Sequence, residues 1–106
     1  MTGKQPLAYR QVVADVFRAL DDETRRLILD ELAAEDGRTL FDICTLLTMR
    51  HGIASTRQAI SQHLAILEGA GLVTTQRRGR TKLHYFHPEP LAEITRRWPT
   101  PREGTH

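Results

Sequence analysis

The sequence predicts a mainly α-helical domain with one small β-hairpin, and three observations predict it. Apolar residues recur at three- and four-residue steps through most of the chain, the pattern turns β-rich after Leu72, and Gly or Pro marks the boundaries. At 106 residues and 40% hydrophobic composition there is material for one modest core, so residues 1–98 are read as a single domain and 99–106 as a frayed tail.

Helix one carries Leu7, Val12, Val13, Val16, Phe17 and Leu20 on one stripe. Asp21 and Asp22 supply N-cap chemistry for helix two, and Glu23 adds negative charge where the helix dipole favours it. That helix is expected over 23–35, burying Leu27, Ile28 and Leu32, with its acids explained by capping and solvation and Asp36-Gly37 as a stop. Thr39 can cap a third helix, LFDICTLLTMR, whose Leu40, Ile43, Cys44 and Leu47 share a face; His51-Gly52 ends it. Ser55 or Thr56 can cap helix four, expected over 55–68, where Ile60, Leu64 and Leu67 repeat before Gly69 and Gly71. Residues 72–86 read as a hairpin, LVTTQ and TKLHYF joined by RRGR, with Gly79 supplying positive φ at the tip. A short last helix, PLAEITRRW, carries Leu91, Ile94 and Trp98 before Pro99 and Pro101.

Helices whose last two are joined by a turn, followed by a hairpin with a basic tip, compose a winged helix-turn-helix. The charge distribution agrees. Residues 1–54 hold seven Lys/Arg against nine Asp/Glu, whereas 55–87 hold Arg57, Arg77, Arg78, Arg80 and Lys82 against Glu68 alone. A basic segment beside an acidic remainder suits one element facing a polyanion. With its apolar residues turned inward, helix four presents Arg57, Gln58, Ser61, Gln62 and Ala65, and no acid before Glu68. Arg can bond guanine, Gln adenine, and Ser a base or a phosphate. Clustered guanidiniums at the hairpin tip have a natural counter-charge in a phosphate backbone or a narrow minor groove. The expected partner is double-stranded DNA.

VFRALDDETRRLILDELA, AISQHLAILEGAGLV and RRGRTKLHYF, in that order, resemble the ArsR family, the arsenical-resistance repressors and their relatives, over most of residues 13–86. The first resembles the family's "ALADPTR" region, the second its recognition helix and the third its wing. The resemblance implies a homodimer built from the first and last helices that binds a two-fold symmetric operator and usually represses it. It places Ser61, Gln62 and His63 at or beside DNA, preceded by Thr56, Arg57 and Gln58, and makes Val12, Val16, Leu91, Ile94 and Trp98 interface candidates. His63 could instead cap a core edge, and Trp98 could anchor within its own domain.

The chain also departs from the family pattern. Metal-sensing members carry C-x-C on the third helix, whereas here Cys44 is followed by Thr45 and Leu46, and one thiol is no thiophilic metal site. His84, His87 and Glu89 are neighbours in sequence without forming an obvious tetrahedral set. Neither a metal nor another cofactor is expected, and Cys44 is read as core filling rather than as a redox sensor. LTMRHGIAST is longer than the usual turn. No Ser/His/Asp grouping, phosphate loop or paired carboxylate points to an enzyme. The N-terminus lacks a secretory pattern and no apolar run suits a membrane span, so a cytoplasmic protein is expected. The alternatives are a winged-helix protein-interaction module, which would not need four arginines on helix four and the wing, and a metal- or redox-responsive repressor.

Overall fold

The computed structural model describes residues 7–99, with side chains from Tyr9 onward. The tail expected to fray lies outside the described residues apart from Pro99, as does the side chain of Leu7. The elements are α1 (Leu7–Leu20), α2 (Glu23–Ala34), α3 (Leu40–His51), α4 (Arg57–Gly69), β1 (Val73–Arg78), β2 (Thr81–Phe86) and α5 (Glu89–Arg97). Five helices and one antiparallel hairpin match the predicted mainly α architecture.

The caps explain the helix starts. The Asp22 carboxylate accepts the Arg25 N–H at 3.0 Å. Burial alone would push this carboxyl up, but the Arg25 and Thr24 N–H bonds and the charge of Arg25 hold it below the usual range. A depressed carboxylate adds stability that is present above the unfolded pKa and is lost as pH falls through the lowered folded value. Thr39 and Asp42 form a reciprocal capping box on α3, and the Thr56 hydroxyl accepts the Ala59 N–H on α4. Gly52 closes α3 in the left-handed region at φ 64°, so LTMRH belongs to the helix and the turn proper is residues 52–56.

The core joins α1 to α4 and the base of the hairpin: Val16, Ile28, Leu32, Ile43, Ile60 and Leu72 are wholly or almost wholly buried. This corrects two expectations. Val16 was expected at a subunit interface but has 0% exposure in its own core, because it points into the junction of α1 with the other helices; Val12, at 40%, and Phe17, at 52%, stay outside. The acids of α2 are not all solvated either. Glu31 is buried, accepting bonds from Arg50 Nη1 and His51 Nε2, both at 2.9 Å, and so ties α2 to the end of α3. Leu27 is only half-buried.

Two strands pair from Val73↔Phe86 to Arg78↔Thr81, with Gly79 at φ 61° in the tip. A third backbone segment, unforeseen in the sequence, braces them: Arg38 and His84 exchange backbone bonds of 2.8 and 3.2 Å, Gly37 donates to the His84 carbonyl, and the Phe86 N–H reaches the Asp36 carboxylate at 2.7 Å. A two-stranded hairpin is marginal alone, and this bridge fastens it to the α2–α3 loop.

Candidate nucleic-acid interface

Helix α4 buries Ile60, Leu64 and Leu67 and exposes Arg57, Gln58, Ser61, Gln62 and Ala65. A helix of this kind can enter a major groove about 12 Å wide, because the outward side chains of its first two turns, Arg57, Gln58, Ser61 and Gln62, are polar and exposed; the apolar Ala65 and Ile66 are exposed only further along. Its first turn holds no acid and begins with Arg57. A cation there opposes the helix dipole, whose positive end favours anions, and a phosphate or base acceptor relieves that conflict.

Strand register sorts the wing cations. Val73, Thr75 and Arg77 face the same side as Phe86, His84 and Lys82, and burial of Val73 and His84 identifies it as the side packed on the helices. Lys82 accordingly lies 3.8 Å from Glu68 of α4. Arg78 stands on the opposite face and Arg80 follows the tip glycine. Arg57, Arg77, Arg78 and Arg80 form no ion pair among the described residues. These four uncompensated guanidiniums, on α4 and on the hairpin beside it, make the basic face.

Three expected contacts have other partners. His63 is half-buried and its Nδ1 meets Arg25 Nη1 at 3.0 Å. A guanidinium only donates, so Nδ1 accepts and the neutral ring carries its proton on Nε2. Of the two readings of His63, the core-edge one describes its Nδ1. Thr56 spends its oxygen on capping α4, and Lys82 is shared with Glu68. Sequence reasoning missed Arg25 altogether. It is buried, with Nε on the Ala19 carbonyl at 2.7 Å and Nη2 on the Arg18 carbonyl at 3.1 Å, joining the end of α1 to α4. No periodic pattern could reveal a cation whose partners are helix-end carbonyls and a histidine 38 positions away.

Cys44 packs against the core edge; burial pushes its thiol up and the charge of Arg57 opposes this. Among the described residues no group of three His, Cys, Asp or Glu side chains could hold a metal ion, and no helix is long and apolar enough to cross a membrane.

The fold and this basic face define a winged helix-turn-helix DNA-binding domain. The helix-turn-helix domain family matches residues 20–76. An HTH-type transcriptional regulator of Bacillus subtilis, YuzN, is 45% identical over 78% of this chain and 90% of its own length. An ArsR-like transcriptional regulator from Rhodococcus superimposes with a TM-score of 0.72 at 31% identity, over 88% of this chain and 79% of the other. The homodimeric winged helix-turn-helix DNA-binding domain of Mb0332 from Mycobacterium bovis, a possible ArsR-family regulator, gives 0.68 at 29% identity, over 89% and 82%. The chain belongs to the ArsR family of winged helix-turn-helix transcriptional regulators.

Proposed function

We propose that this regulator is a homodimeric repressor that binds a two-fold symmetric operator, with α4 of each protomer in successive major grooves and the wings on the flanking backbone. The observation that carries the reading is the polar start of α4, with no acid before Glu68, beside four unpaired arginines. Arg57, Gln58, Ser61 and Gln62 read bases; Arg77, Arg78 and Arg80 hold phosphates, assisted by the Thr56 hydroxyl, Lys82 and the Nε2–H of His63. Fragments selected from genomic DNA by the purified protein should share an inverted repeat. Arg57→Ala or Gln58→Ala should lower affinity for that repeat by about ten- to a hundredfold while sparing unrelated DNA, a difference read by fluorescence anisotropy on both. Equal losses on both would remove these residues from base reading.

The dimer rests on apolar surface that one protomer leaves open on α1 and after α5, two helices that pack together: Val12, Phe17 and Trp98, the last 58% exposed with the Arg97 guanidinium 4.8 Å above its ring. Leu91 and Ile94 of α5 are half-buried against the core and are the remaining interface candidates. Phe17→Ala with Trp98→Ala should shift sedimentation toward the monomer at micromolar protein, and an unchanged dimer would place the interface elsewhere.

A further inference from the structure

The basic face is not a plain surface. Between the start of α3, the outer side of α4 and the wing lies a cavity of about 450 Å³, a size that suits a small molecule. Arg57, Arg80 and Lys82 supply its positive charge, and Leu40, Phe41 and Leu64 supply apolar wall. Glu68 also lines it, and its charge is only partly offset by Lys82 at 3.8 Å.

His84 also lines the cavity, and only 4% of the residue is exposed. Its Nδ1 lies 2.9 Å from the Arg38 carbonyl, which can only accept, so Nδ1 carries the proton. In the neutral ring Nε2 is then an acceptor. It has no hydrogen-bonding partner among the described residues, and it is not among the atoms sealed from solvent. An acceptor that no protein group occupies and that reaches solvent through the cavity is open to a ligand donor.

We propose that this cavity binds a small hydroxylated aromatic carboxylic acid, and that such a ligand and DNA exclude each other. The carboxylate engages Arg57 and Arg80, the ring lies against Leu40, Phe41 and Leu64, and the hydroxyl donates to His84 Nε2 or Glu68. Exclusion follows because Arg57, Ser61 and Arg80 line the cavity and are also the residues assigned to DNA, so this half of the inference rests on the proposed function.

The test titrates the full chain with 4-hydroxybenzoate, benzoate and inorganic phosphate, following backbone amides by NMR, and measures competition with the selected DNA separately. 4-Hydroxybenzoate should shift the amides of Leu40, Phe41, Leu64 and His84 saturably, with a dissociation constant of about 1 mM, the range open to a molecule of its size. Benzoate should bind several-fold more weakly, and phosphate should move only the arginine-bearing turns. Phe41→Ala, a change at an exposed side chain, and His84→Gln should each weaken 4-hydroxybenzoate about tenfold. DNA affinity should fall as the acid is added and should be unchanged by Phe41→Ala. No saturable shift below about 10 mM, or identical maps for all three probes, would overturn the site. Acid and DNA bound together would overturn exclusion. Binding of the acid by a protein that holds no DNA sequence would leave the site standing and sink the DNA reading.

Discussion

Replacing Arg78 and Arg80 together with alanine is expected to weaken binding to every DNA sequence about ten- to a hundredfold near 0.1 M salt, and to lower the slope of log affinity against log salt by about 2. Each phosphate met by a cation releases close to one condensed counterion, so the slope counts contacts and the affinity follows it. The two residues suit this test because Arg78 lies on the wing face away from α4, Arg80 is at the tip, and neither pairs with a carboxylate among the described residues. Their removal strips no packing, and stability should stay within about 0.5 kcal/mol of the parent. Arg77 is a poorer choice. It shares a face with Lys82 directly opposite, so its removal also relieves a like-charge pair. Anisotropy titrations at several salt concentrations give the slope, and an unchanged slope with reduced affinity would mean that the wing acts by shape rather than by charge.

How far the sequence could be read depended on whether the determining contacts were local. Thr39 and Thr56 cap the helices they precede, Gly52 and Gly79 take the left-handed backbone that ends α3 and turns the wing, and Ile60, Leu64 and Leu67 face inward as their spacing requires. These depend on neighbours within one or two turns. The spacing could not divide the α1 stripe, because Val16 facing its own core and Phe17 facing outward obey the same periodicity. Buried polar groups were still less accessible: Arg25, Glu31 and His84 are covered by elements that fold back from 19 to 46 residues away. The cations of α4 and the wing were legible as a cluster, but their division into two faces needed the strand register. The cavity needed the Arg38–His84 bridge, which no local pattern announced.

Arg25→Ala should cost about 2–4 kcal/mol of folding stability, a sizeable share of the 5–15 kcal/mol typical of a domain. The guanidinium is buried and engaged on three sides, by the carbonyls of Ala19 and Arg18 and by His63 Nδ1. Truncation leaves the Ala19 carbonyl at the end of α1 and the acceptor of His63 without their donor, and opens a gap where the stem was. Urea unfolding should show the loss as a lower midpoint at unchanged slope, and a change below about 1 kcal/mol would mean that the pocket relaxes around the missing group. Arg25→Lys should fold but hold the three acceptors less well, since one ammonium cannot reproduce the planar fork. That variant separates stability from function. Arg25 links α1, which carries the proposed dimer face, to α4, which carries the proposed base-reading face. In the proposed dimer this link would set the distance between the two recognition helices, so Arg25→Lys should bind a single half-site nearly as well as the parent. On the full operator it should lose its preference for one half-site spacing, which operators lengthened or shortened by one base pair would reveal. A spacing preference as sharp as the parent's would show that Arg25 serves the fold alone.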